Sequence, residues 1–133
     1  MTIPANPGFA GPYKLAIWRV VAVHTTALQA GFALITPATT PAGLYRVSMS
    51  IAITTAGTAG QLTMSAVATG EGGSTQTQSL AAVNVNTLGD LAQDAFAVSV
   101  ASGAIGYKVD ALGLTAGSLR YAVRFVVEQL MTP

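Results

Sequence analysis

Chemistry in this sequence would have to come from very few side chains. His24 is the single histidine and cysteine is absent, so one chain has neither a His pair nor a thiolate with which to hold a transition metal. His24 reads as a strand-end residue hydrogen-bonded locally, unless a threefold axis gathers three copies as ligands. The carboxylates are Glu71, Asp90, Asp94, Asp110 and Glu128, all in the second half. Asp90 and Asp94 form the only close pair, and beside Gly89 they suit turn hydrogen bonding rather than paired acid–base work. No serine stands in a Gly-x-Ser-x-Gly setting with implied His and Asp partners. The Gly70-Glu-Gly-Gly-Ser-Thr-Gln-Thr77 stretch lacks the Gly-Lys-Ser/Thr ending of a phosphate-cradling loop. The expectation is a non-enzyme with no catalytic residue, metal or cofactor.

What remains is a set of charges whose spacing suggests one surface. Arg46, Arg120, Arg124 and Glu128 fall on the outer sides of the two clearest strands, together with Ala122 and Val126. If those strands are neighbours, the charges form an ion-pair cluster within or between subunits. The alternative is a solvated face on which each exposed pair contributes ~0–1 kcal/mol.

The elements that must position these residues are strands. Leu44 to Thr54 alternates strictly, with Tyr45, Val47, Met49, Ile51 and Ile53 on one face and Arg46, Ser48, Ser50 and Ala52 on the other. Leu119 to Leu130 does the same, with Leu119, Tyr121, Val123, Phe125 and Val127 opposite Arg120, Ala122, Arg124, Val126 and Glu128. Its Val, Phe and Tyr content argues against a helix. Tyr13 to Thr26 is a strand apolar on both faces around Trp18 to Val23, as in a strand buried on two sides. Ala27 to Ile35 extends as a short second strand, and Thr36 to Gly43 is a Pro/Thr/Gly connection. Thr55 to Gly60 supplies the turn of a hairpin into Gln61 to Thr69. Gly70 to Thr77 reads as a loop, Leu80 to Val85 as a weak strand, and Asn86 to Gln93 as a loop or single turn. Asp94 to Val100 and the Ile105, Tyr107, Val109 alternation are strands about the Ser102-Gly103 turn, and Ala111 to Ser118 is the last loop. Tyr45, Tyr107 and Tyr121 are core positions. Seven or eight short strands at this spacing predict an all-β sandwich or barrel over residues 13–133. Residues 1–12, with Pro4, Pro7 and Pro12, read as an extended arm carrying Phe9. That arm folds back on its own domain or packs onto another subunit.

Composition sharpens the picture. The 133 residues are 51% hydrophobic and 8% charged, with a net charge of +1, about a third of the ~25% charge usual in soluble domains. One domain is expected. Disorder is excluded, and six scattered basic residues make no nucleic-acid patch. Neither uncharged stretch suits a membrane helix, because His24, Gln29, Pro37 and Pro41 cut one and Thr54 to Gln61 the other. Met1 to Gly11 has no basic residue, so no secretory signal is expected. Apolar outer positions on the first and last strands predict a homo-oligomer, with Arg46, Arg120, Ala122, Arg124, Val126 and Glu128 as subunit contacts.

Four segments, Pro41-Ala-Gly-Leu-Tyr-Arg-Val-Ser48, Thr54-Thr-Ala-Gly-Thr-Ala-Gly60, Ile105-Gly-Tyr-Lys-Val109 and Tyr121-Ala-Val-Arg-Phe-Val-Val-Glu-Gln-Leu130, resemble small jelly-roll modules of bacteriophage virions. Those modules are similar in shape to tumour-necrosis-factor and C1q heads. The likeness spans roughly Thr36 to Leu130 and leaves the arm unmatched. It implies an antiparallel two-sheet β-sandwich of about eight strands, a trimer assembled around the faces of one sheet, and no catalytic residues. It further implies a capsid decoration or cement protein in the virion, assembled in the host cytoplasm. Such a protein would stabilise the phage head from outside by bridging the major capsid protein or another virion protein. Pro4, Pro7, Phe9 and Pro12 would then be the capsid contacts. The alternative is a tail-fibre or tail-tip head reading a host surface through Gly70 to Gln78 and Ala111 to Ser118. A carbohydrate-binding module would need exposed aromatic residues, for which the sequence offers no sign.

Overall fold

Alternating apolar side chains fold the described residues into strands joined by turns. The computed structural model describes residues 17–24, 28–114 and 118–131; the predicted arm with Pro4, Pro7, Phe9 and Pro12 lies outside them. The described strands are β1 (Ile17–His24), β2 (Leu28–Leu34), β3 (Gly43–Thr55), β4 (Gln61–Thr69), β5 (Thr75–Ser79), β6 (Val83–Asn84), β7 (Leu91–Val100), β8 (Gly106–Leu112) and β9 (Arg120–Met131), and no helix occurs among the described residues. Two antiparallel sheets form, ordered β1-β9-β3-β7 and β2-β8-β4-β5, with β6 pairing one end of β4. Strands β1 to β4, and again β6 to β9, alternate between the two sheets in the manner of a jelly roll, while β4, β5 and β6 share one sheet.

The core is the sum of the inward halves of these strands. Tyr45, Val47, Ile51 and Ile53 of β3 and Tyr121, Val123, Phe125 and Val127 of β9 are fully buried, facing Leu62, Met64, Tyr107 and Val109 of the second sheet. The Tyr107 and Phe125 rings meet across the layers with centroids 5.4 Å apart. Tyr45 donates its hydroxyl to the Pro41 carbonyl at 2.6 Å, which satisfies the one polar atom the ring carries inward. The Pro/Thr connection is tied down in a similar way. Buried Thr36 accepts from the Ile105 N–H through Oγ1 at 2.7 Å, and the Thr40 carbonyl accepts from Gly103 at 2.9 Å. At the opposite end, Gly60 closes the β3–β4 turn at φ +118°, where a Cβ would stand 2.7 Å from the Leu114 backbone; only glycine fits both constraints.

Six readings from the sequence change. The predicted hairpin across Thr55 to Gly60 is a crossover between layers, because β3 pairs with β7 and β9 while β4 pairs with β5, β6 and β8 in the other sheet. β1 is an edge strand paired with β9 alone, so it is not buried on two sides. Trp18 and Ala22 pack on the core while Ile17, Val21 and Val23 stand in solvent. Part of the predicted Gly70–Thr77 loop is β5, whose ladder to Ser65–Thr69 needs no apolar residue because it lies at a sheet edge in water. The predicted strand over Leu80 to Val85 shrinks to two residues, and the strand placed at Asp94 begins at Leu91. β8 runs to Leu112, shortening the predicted final loop.

Removing the interlayer ring in Phe125→Ala should lower unfolding free energy by ~3–5 kcal/mol, measured as a shift of the denaturant midpoint. A pH dependence follows as well. Burial raises the Tyr45 and Tyr107 pKa values, and burial followed by the neighbouring Tyr107 raises that of Tyr121 further. Unfolded tyrosines ionise near ~10 while the folded ones keep their protons, so above that pH the unfolded chain binds fewer protons and stability falls. Melting temperature should therefore hold below about pH 9.5 and drop steeply as pH rises through ~10 and beyond. Tyr121→Phe should flatten that drop.

Candidate functional site

The outer face of the β1-β9-β3-β7 sheet gathers most of the residues singled out in the sequence. Strand register sets its rows: Ile17, Glu128, Arg46 and Ala97; then Arg19, Val126, Ser48 and Ala95; then Val21, Arg124, Ser50 and Gln93; then Val23, Ala122, Ala52 and Leu91. The β1 column is the most exposed, with Val21 67%, Val23 61% and Ile17 52% accessible, and Leu91 at the far margin is 51% accessible. Val126 and Ala122 between them are half-buried. Ile17, Val21 and Val23 thus form an exposed apolar strip along β1.

Charge on this face is sparse and unevenly used. The expected four-residue cluster reduces to one pair: Arg46 Nη2 and Nε lie 2.9 and 3.0 Å from Glu128 Oε1, as direct neighbours in register. Arg120 sits at the end of β9 opposite Thr55, and Arg124 stands two register steps from Glu128 beside Ser50. Arg19, absent from the sequence candidates, joins Arg124 on the same face. Neither guanidinium has an ion-pair partner among the described residues. Two shallow grooves cross the face. One of about 470 Å³ runs between Ile17, Arg19 and Val21 on one side and Arg124 and Val126 on the other. The second, about 350 Å³, lies between Arg124 and the β7 margin at Gln93 and Asp94.

Three of the carboxylates have structural partners. The Asp90 carboxylate accepts from the Asn84 N–H at 2.8 Å, a turn bond as its setting beside Gly89 suggested. Asp94 is instead mid-strand in β7, its Oδ1 2.7 Å from the Ala95 N–H. Lys108 pairs with Asp110 on the second sheet, and His24 is the last residue of β1. Among the described residues no three His, Cys, Asp or Glu side chains converge, and no helix is long and apolar enough to cross a membrane. The two loops proposed for host recognition are not neighbours. Gly70 bridges to Val100 at one end of β4, whereas Leu112 pairs with Gln61 at the other, a separation of roughly 27 Å along the strand.

No family model matches this chain, and no curated protein matches it. Among solved structures it is similar to the globular domain of zebrafish complement 1qA protein, with a TM-score of 0.62 and 12% identity over 90% of this chain and 100% of that one. The shared feature is the fold, a two-sheet jelly roll like that of the C1q globular domain. A xylanase 10B fragment of Clostridium thermocellum, with CBM22-1 and GH10 modules and xylohexaose, aligns at a TM-score of 0.36 and 9% identity over 86% of this chain and 26% of that one; a likeness that low adds nothing.

The Arg46–Glu128 pair is surface-exposed, so a double-mutant cycle with Arg46→Ala and Glu128→Ala should give a coupling of ~0.2–1 kcal/mol that shrinks in high salt.

Proposed function

We propose that this chain is a non-catalytic structural head that works as a homotrimer, with the outer face of the β1-β9-β3-β7 sheet turned toward its neighbours. The carrying observation is the exposure of Ile17, Val21, Val23 and Leu91 on one sheet face of a chain only 8% charged. Covering each such side chain is worth ~1.5–3 kcal/mol, and a closed cyclic assembly covers them all without leaving a sticky end.

The resemblance to phage virion modules extends this reading to a site of action. A trimer on the outside of a phage head bridges several subunits of the major capsid protein, and several weak contacts made at once hold better than any one of them. The segment bearing Pro4, Pro7, Phe9 and Pro12 is the proposed clasp on the shell. The separation of the Gly70 and Leu112 ends supports this structural role over a single receptor site built from both loops.

Sedimentation equilibrium at micromolar concentration should return three chain masses. The Val21→Glu, Val23→Glu double variant should return one, with its β-sheet circular dichroism intact. A wild-type monomer overturns the assembly. Hundreds of copies per particle by quantitative gel, with shell binding lost on deletion of residues 2–12 while the trimer survives, is the result expected of decoration. A few dozen copies per particle would point to the tail instead.

A further inference from the structure

The outer face of the β1-β9-β3-β7 sheet does not balance its own charge. Its four rows carry three guanidiniums, Arg19, Arg46 and Arg124, against the single carboxylate of Glu128, so each copy has an excess of two positive charges (three minus one). Glu128 is already held by Arg46, whose Nη2 and Nε lie 2.9 and 3.0 Å from its Oε1. The other carboxylates are engaged or turned elsewhere. Asp90 accepts from the Asn84 N–H, and Asp110 pairs with Lys108 on the second sheet. Asp94 is the register partner of buried, inward-facing Met49, so it points to the side of the sandwich and not to this face. Glu71 stands in the connection between β4 and β5 of the other sheet.

Register brings the two unmatched guanidiniums together. Arg19 opposes Val126 and Val21 opposes Arg124, which makes Arg19 and Arg124 diagonal neighbours on adjacent strands, their Cα atoms ~7–8 Å apart. Side chains as long as theirs reach a common point across that gap. Among the described residues neither has an ion-pair partner. The groove of about 470 Å³ between them is walled by Ile17, Val21 and Val126 and also lined by Ser48. Ser50 and Gln93 continue the Arg124 row across β3 and β7. Apart from Glu128 at one end, every polar side chain along this groove can donate a hydrogen bond.

The next step rests on the trimer proposed above, in which this face is turned toward neighbouring copies. Every copy brings the same positive excess, so no symmetric arrangement of the face against itself can neutralise it. Removing unmatched guanidiniums from water is costly, and the missing negative charge has to be imported. We infer that each Arg19–Arg124 pair binds a small oxyanion of the phosphate or sulfate class, enclosed when the face is covered, with Ser48 as a further donor. The planar donor forks of two guanidiniums match several oxygens of such an ion at once, which a single chloride does not offer. Ile17, Val21 and Val126 exclude water around it, and the lower local dielectric strengthens its contacts.

Trimer association measured by sedimentation equilibrium on dilution, in phosphate and in chloride of matched ionic strength, tests this. The phosphate is kept to ~10 mM, well below the level at which it strengthens apolar burial in general. It should tighten the trimer about tenfold or more, since an ion bound only by the assembled face adds its own binding free energy to assembly. The Arg19→Gln, Arg124→Gln double variant should stay trimeric, associate in chloride at least as tightly as wild type, and lose the phosphate response. Phosphorus NMR gives a second readout, because the inorganic phosphate line should broaden with wild type and not with the double variant. A wild-type trimer equally tight in phosphate and chloride, or a double variant that responds as wild type does, overturns the anion site and leaves the trimer standing. A wild type monomeric in both buffers overturns the trimer and the site with it.

Discussion

Everything in this molecule depends on the strict alternation of β3 and β9 as direct neighbours. Each has an inward set of large apolar side chains, and their register puts Val47 beside Val127, Met49 beside Phe125 and Ile51 beside Val123. A one-residue slip would turn all of them outward and bring Arg46, Arg124 and Glu128 into the core, so the register is strongly specified. The second sheet completes the layer, with Tyr107 meeting Phe125. The remaining strands add to this pair: β1 alongside β9, and β7 alongside β3.

A two-layer sandwich covers only one face of each sheet, and the two sheets treat their free sides differently. At the β5 edge the strand is Thr75-Gln-Thr-Gln-Ser79, polar on both sides and largely exposed. Such an edge discourages further pairing. At the β1 edge the chain does the opposite and presents Ile17, Val21 and Val23 to water. The two sheets thus differ in what they show to water, polar at the β5 edge and apolar along β1. The two-sheet jelly roll itself is the fold it shares with the C1q globular domain.

Residue types that elsewhere perform catalysis are spent here on holding loops. Thr36 and Thr40 order the Pro-rich connection, and Asp90 caps the 84–90 turn. The same turn is also tied to β3 by the Gly89 N–H donating to the Ile53 carbonyl and the Ile53 N–H to the Asp90 carbonyl. Burial pushes the core tyrosines toward their neutral forms. Thr36, Thr40 and Asp90 are thus committed to backbone partners that hold the loops between strands.

Alternation is a property of consecutive residues, so the sequence alone determined the inward sets of β3, β4 and β9, the burial of Tyr45, Tyr107 and Tyr121, and the two-layer all-β class. β5 stayed hidden because a polar edge strand has no apolar period to read; its hydrogen bonds come from β4. The interaction face was legible only in part. Arg46, Arg124, Glu128, Val126 and Ala122 could be placed on outer sides, and the doubly apolar first strand hinted at contact, but Arg19 and Leu91 gave no signal. Which strands are neighbours was decided by pairings between distant parts of the chain. Glu128 reaches Arg46 across 82 residues while Arg124, four residues earlier, is left without a carboxylate. Likewise β1 lies at an edge because β9 pairs with one side of it and no other described strand pairs with it; that choice is made by packing, after the local pattern has done its part.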